Sequence, residues 1–271
     1  MYTAAVIGDT QIPYHDPRAF DVCGQILSDA KLDMLIYNGD WADFRAISRY
    51  PQRNKDPRLF SELRAEILTA KERLATFHKS VRPKKAKFTS GNHEWRIERV
   101  FTSDPKVTQV LDIAEVGEAV SIESLFEMKK LGIKFIGQYP KGCWLHDGLE
   151  PERNVWIEHG MGARKEAGYW ITNLMRDRWA SVVVNHCEKL AIVWKRALGK
   201  SYFGIENGNL SIIAEPGKGD DIYTGIPHST PEYINHRQGF SLLYYDNGQW
   251  FPQTIPIHKG RAVFVGKLYK S

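Results

Sequence analysis

Apolar residues along the chain come in short runs that stop abruptly at polar turns. Ala4 to Ile7 forms the first run and ends at Gly8-Asp9; Met34-Leu35-Ile36-Tyr37 forms the second and ends at Asn38-Gly39-Asp40. Continuous apolar runs of this length suit buried strands, and an acid just past each run is a side chain delivered from a strand's C-terminal end. Between the two, Asp16-Pro17 reads as an N-cap and first helical residue, after which Phe20, Cys23, Ile26 and Leu27 share one helical face. Strand, helix and strand in this order predict a βαβ unit, with parallel strands and a right-handed crossover.

Helical spacing of Leu59, Leu63, Ile67, Leu74 and Phe77 predicts a longer helix from Pro57 to about Lys79, with Arg64, Glu66, Lys71, Glu72 and Arg73 on its solvated face. Lys84 to Phe88 then leads into a third turn, Ser90-Gly91-Asn92-His93-Glu94. Thr102 to Gly132 reads as helical and connecting, with a near capping box at Ser121-Ile122-Glu123-Ser124. Beyond Ile133 the texture turns to strands: Ile133–Ile136, Val155–Glu158, Ser181–Val184, Ala191–Trp194, Leu210–Ile213, Phe240–Tyr245 and Gln249–Ile255. Asp246-Asn247-Gly248 marks a hairpin between the last two. No repeat, low-complexity tract or linker interrupts the chain, so residues 1–271 are expected to form a single domain, and the change near residue 130 is one of texture.

Composition narrows the class. The 271 residues are 42% hydrophobic, 12% aromatic and 25% charged, which excludes disorder, collagen and coiled coil and leaves enough apolar material for a sizeable core. Lys and Arg number 37 against 32 Asp and Glu, a net charge of +5 that permits an anionic partner without requiring one. Three cysteines with no CxxC spacing argue against a secreted disulfide framework and for a reducing compartment, with no disulfide partner. The N-terminus lacks a leader pattern, and no run approaches the roughly 20 apolar residues of a membrane span. The expected setting is therefore cytoplasmic, without a membrane.

The polar turns carry the chemistry. Asp9 and Gln11, Asp40, Asn92 with His93, His159 in Glu158-His159-Gly160, and Asn185-His186-Cys187-Glu188 all follow expected strands. Open α/β sheets build their sites at strand C-termini, so five such turns can meet in one cleft. Carboxylate, amide and imidazole groups around one point suit Mg, Mn, Zn or Fe, and the pattern reads as that of a two-metal hydrolase.

The order and wording of these turns resemble the calcineurin-like metallophosphoesterase superfamily, whose pattern is D-x-H, G-D, G-N-H-[ED], a lone H and G-H-x-H. Here they stand as Asp9-Thr10-Gln11, Gly39-Asp40, Gly91-Asn92-His93-Glu94, His159 and Asn185-His186-Cys187-Glu188. Tyr14-His15-Asp16 and Trp95-Arg96 look like small phage-encoded and bacterial members. The resemblance implies an α/β fold, a two-sheet αββα sandwich with a parallel-rich first half and an antiparallel second half. It implies two divalent ions, Mn above Mg, Fe or Zn: Asp40 bridging both, Asn92, His159 and His186 completing one site, and Asp9 serving the other with Gln11 and Glu188. His93 would act beside the leaving group, with Asp40 and Asn92 in the same catalytic constellation. Arg96 reads either as a clamp on substrate phosphate or as a surface salt-bridge partner.

Two departures fall on one metal site, where Gln11 and Glu188 stand in place of histidines, and Asn185 replaces a glycine. Oxygen ligands are harder than imidazole, so this site should favour Mn or Mg over Zn or Fe. Asp43 reads as a capping or supporting acid, and Cys187 as a packing residue. His15, His78, His146, His228, His236 and His258 lack ligand-like spacing. The implied activity is hydrolysis of a phosphodiester in DNA, RNA or a nucleotide by a two-metal, metal-hydroxide mechanism. The alternatives are a phosphomonoesterase or protein phosphatase, and a binding protein that kept the fold without the catalysis.

Overall fold

The computed structural model describes residues 1–48, 59–103, 109, 114–162, 166–197, 199–213 and 236–271. Its first sheet has six strands. Parallel β1 (Tyr2–Ile7), β2 (Met34–Asn38), β3 (Lys85–Thr89) and β4 (Ile133–Gly137) lie side by side. The other edge of β1 takes antiparallel β10 (Gly239–Asp246), which in turn pairs with β11 (Gln249–Pro256). A second sheet orders β5 (Cys143–Trp144), β6 (Val155–Glu158), β7 (Ser181–Val184), β9 (Lys200–Asn207) and β8 (Leu190–Ala197). Both sheets are mixed, since β6, β7 and β9 run parallel while β5 and β8 run antiparallel to their neighbours. A wholly antiparallel second half is thus corrected: β6 and β7 each deliver a turn to the site, which needs both strands pointing the same way.

The period of two along a strand divides the core. Ala5, Ile7, Leu35 and Tyr37 face helices α1 (Pro17–Ala30) and α2 (Leu59–Val81), against Ile26, Leu27, Leu74 and Phe77. Ala4, Val6, Met34 and Ile36 face the other way, into Val183, Phe203 and Ile205 of the second sheet. Val182 and Val184 close the far side against Ile171 and Met175 of a later helix, Tyr169–Arg178. The result is an α/β sandwich of two mixed sheets with helices on both outer faces.

Local chemistry explains the boundaries. Asp16 caps α1 by accepting from the Arg18 N–H at 2.9 Å, with Pro17 at the first helical position, as the sequence predicts. Asn247 and Gly248, at φ of 47° and 83°, make the two-residue turn between β10 and β11. The expected helix from Pro57 starts inside residues that lie outside the described set, and the expected strand Leu210–Ile213 is only a pair of isolated bridges at Asn209 and Ser211. Strand β9, the helix Tyr169–Arg178 and the C-terminal hairpin Arg261–Phe264 with Lys267–Lys270 are additions to the sequence reading. Cys23, Cys143 and Cys187 are buried free thiols. No helix among the described residues is long and apolar enough to cross a membrane.

Candidate metal centre

Pairing between β1 and β2 continues past their ends. Asp9 N–H donates to the Gly39 carbonyl at 3.1 Å and Gln11 N–H to the Asp40 carbonyl at 2.8 Å, so the first two turns travel together. Gly39 has φ of 78°, and a Cβ there would lie 2.6 Å from the Gly91 nitrogen; only glycine lets the second and third turns touch. Glu94 then ties both in place. Its carboxylate accepts from the N–H groups of Asp40, Trp41, Ala42 and Gly91 at 2.8–3.1 Å, while the residue itself is fully buried. The sequence showed Glu94 only as the last letter of a motif; its bracket role comes from the fold.

The fourth and fifth turns arrive from the second sheet, joined by the Asn185 N–H donating to the His159 carbonyl. The Asn185 side chain fills the space above Gly8, where an added Cβ would meet Asn185 Cγ at 2.6 Å. Its amide accepts from Asn38 and Asn207 and donates to Asp9 Oδ2 at 3.2 Å. One residue thereby stitches β1, β2 and β9 to the end of β7. Asp9 Oδ2 also accepts from the His186 N–H at 2.8 Å, leaving Oδ1 buried and without a hydrogen-bond partner among the described residues.

His159 defines the centre. Its Nδ1 lies 2.8 Å from the Asn38 carbonyl, which can only accept, so Nδ1 carries the hydrogen. Nε2 is left facing Asn92 Oδ1 at 3.0 Å, Asp40 Oδ2 at 3.2 Å and Asp9 Oδ1 at 3.9 Å. A neutral imidazole would put its lone pair against three oxygens. Burial alone would lower the His159 pKa, but the Asp40 and Asp9 carboxylates outweigh it and push it up to about 10. Asp40 moves the opposite way: burial opposes ionisation, and His159 and His93 more than offset it. His186, lowered to about 4 by burial and then by His159, stays a neutral imidazole. The ligand atoms of Asp40, His159 and His186 lie within 4.8 Å of one another, close enough to hold a divalent ion between them.

Gln11 and Glu188 do not join that group. Gln11 Nε2 donates to Glu188 Oε1 at 2.9 Å, Asn209 Nδ2 donates to Oε2 at 2.7 Å, and His236 Nδ1 lies 3.2 Å from the same Oε2. Burial raises the Glu188 pKa, yet these contacts leave it below the ordinary carboxylate value. Asp9, whose burial is not relieved in this way, is raised well above it. The expectation of seven ligands around two ions is therefore met as a three-residue cluster with Asn92 and Asp9 beside it. His236, which has no ligand-like spacing in the sequence, reaches Glu188 through a backbone bridge from Asn209 to Gln238.

His93 stands next to the cluster. Its Nδ1 lies 2.7 Å from Asp43 Oδ1 and its Nε2 3.7 Å from Asp40 Oδ2. Burial would depress its pKa, and the Asp40 and Asp43 carboxylates raise it instead. Arg96, expected on substrate, turns its guanidinium inward: Nη1 donates to the Asp43 carbonyl at 2.6 Å and Nη2 lies 2.8 Å from His93 Nε2. Tyr139 flanks the site with its ring 6.1 Å from His159, its hydroxyl donating to the Gly160 carbonyl.

No family model matches the chain. It is 22% identical over 277 residues to the Gene 54 protein of Mycobacterium phage D29, covering 98% of this chain and 97% of that protein. The Gene 54 protein of Mycobacterium phage L5 is similar at 22% identity, with the same coverage. Among solved structures, Vacuolar Protein Sorting 29 from Cryptosporidium parvum aligns over 100% of this chain and 98% of its own at 13% identity, with a TM-score of 0.48.

Proposed function

We propose that the chain is a calcineurin-like metallophosphoesterase that hydrolyses a phosphodiester in a nucleic acid or nucleotide. The observation that carries this reading is His159: one ring nitrogen is pinned to a backbone carbonyl and the other faces three buried oxygens at 3.0–3.9 Å. Metal-ligating histidines are oriented in this way, by an N–H donated to a carbonyl behind them. Asp40, Asn92, His159 and His186 would hold the ion, Mn before Mg, Fe or Zn. A divalent ion at such a site polarises the phosphoryl oxygen and makes water acidic enough to attack at neutral pH.

The protein's own groups do the rest. Asp43 orients the His93 ring through Nδ1 and Arg96 donates to Nε2, so the His93–Arg96 pair would stabilise charge developing on a departing oxygen. Arg96 steadies the ring from the other side, bridging the Asp43 carbonyl and the His93 ring. The net charge of +5 favours an anionic substrate, and similarity along the whole chain to two phage proteins supports a small phage-type member.

A second reading has its own observation. Glu188 and Gln11 satisfy each other, as in a protein that kept the fold for binding phosphoesters and turns none over. Chelator-stripped protein assayed with bis-p-nitrophenyl phosphate and p-nitrophenyl phosphate separates the two. The esterase reading expects Mn-dependent nitrophenol release, faster from the diester. Absence of release with Mn, Mg, Zn and Fe(II) alike leaves the binding protein.

A further inference from the structure

The two halves of the centre treat their carboxylates differently. Around Asp40, three acceptors converge on one position: Asp40 Oδ2, Asn92 Oδ1 and Asp9 Oδ1 all approach the single nitrogen of His159, which meets them with a proton or with a bound cation. Around Glu188, nitrogen atoms converge on one carboxylate. Gln11 Nε2 takes Oε1, and Asn209 Nδ2 and His236 Nδ1 take Oε2, all at 2.7–3.2 Å. A buried carboxylate needs hydrogen-bond donors or a cation, and donors on both oxygens remove the need for the second.

The donors are held by the backbone as well. Arg237 N–H donates to the Glu188 carbonyl and Asn209 N–H to the Arg237 carbonyl, so the segments bearing His236 and Asn209 are locked to the turn bearing Glu188. Gln11 is fixed by its N–H bond to the Asp40 carbonyl. To accept an ion, Glu188 would have to give up contacts that the local fold supplies without rearrangement. Asp9 has one oxygen to offer, and it lies 3.9 Å from the same His159 nitrogen that meets Asp40.

We propose that this chain keeps one resident divalent ion, on Asp40, Asn92, His159 and His186 with Asp9 beside them, and that a hydrogen-bonded group of Gln11, Glu188, Asn209 and His236 stands where a second ion would be held. The proposal rests on the metal-centre reading above and corrects the two-ion expectation. Gln11 and Glu188 are structural partners of each other and not ligands.

The test is Mn2+ binding to the full chain after chelator treatment, by calorimetry and metal analysis, with electron paramagnetic resonance of the loaded protein. One equivalent per chain is expected, with the spectrum of an isolated Mn2+. Glu188→Ala and Gln11→Ala, checked by circular dichroism, should still bind one equivalent, whereas His159→Ala should bind none. Two equivalents in the wild type with an exchange-coupled spectrum, or loss of an equivalent in Glu188→Ala, would overturn the one-ion proposal while leaving the metal centre intact. No bound Mn2+ in the wild type would overturn both. The wild-type stoichiometry decides even if a variant fails to fold.

Discussion

His159 and Glu188 sit at the ends of neighbouring strands, and their surroundings follow opposite rules. His159 is aimed by a carbonyl behind it at oxygens of Asn92 and Asp40, an arrangement that calls for a proton or a cation on the ring nitrogen that faces them. Glu188 is complete already, because nitrogen atoms from three other segments reach it. The lesson is that turns meeting in one place need not share one role. A carboxylate and an amide at Glu188 and Gln11 bond each other, while Asp40, Asn92 and His159 keep their convergence.

The largest effect is expected at Asp40, the carboxylate shared by His159, His93 and the turn N–H of His93. Asp40→Asn should lose the ion and all measurable phosphodiester hydrolysis, read by metal analysis and rate together. Full activity with bound metal would break the comparison at its strong end. Next comes His93→Ala, which removes a group beside the leaving oxygen and no ligand. A rate loss of about 10²–10⁴ with metal content unchanged is expected; loss of metal instead would make His93 a ligand.

At the weak end, Gln11→His with Glu188→His should undo the substituted half. Two imidazoles cannot satisfy each other as amide and carboxylate do, so the double variant is expected to gain a second equivalent and shift preference toward Zn or Fe. Identical metal profiles across Mn, Mg, Zn and Fe(II) would count against the contrast.

Much of this was legible in the residues. Apolar runs ending at polar turns placed β1, β2, β6 and β7, because a strand buried on both faces leaves an uninterrupted apolar signature, while β3, with Lys85 and Lys87, was marked by the turn that follows it. Strand β9 escaped, since its Gly204 and Glu206 break the run and only neighbouring β7 and β8 make it a strand. The ligands themselves were visible as turn residues. What holds them was not: Glu94 accepts from a turn more than fifty positions away, and His236 reaches Glu188 through pairing between Asn209 and Gln238. Such contacts are set by topology, which spacing along one chain does not encode.

The smallest expected effect tests the same rule of unsatisfied acids away from the ion. Glu98, on the helix Glu94–Thr102, keeps a buried oxygen without a hydrogen-bond partner among the described residues, and burial, with Glu94 nearby, pushes its pKa up to about 7. A raised carboxyl pKa costs stability as pH rises, with the loss accumulating from its ordinary value near 4.5 through about 7. Glu98→Gln should therefore raise the thermal midpoint more at pH 8 than at pH 5. An equal shift at both would mean that Glu98 finds a donor in solution.

The central claim, that one ion on the His159 side is enough for chemistry, meets its most direct test when Mn2+ is titrated into stripped protein while bis-p-nitrophenyl phosphate hydrolysis is followed. The rate should rise with the first equivalent and reach its plateau there. A rate that stays at background until a second equivalent is bound would contradict the account.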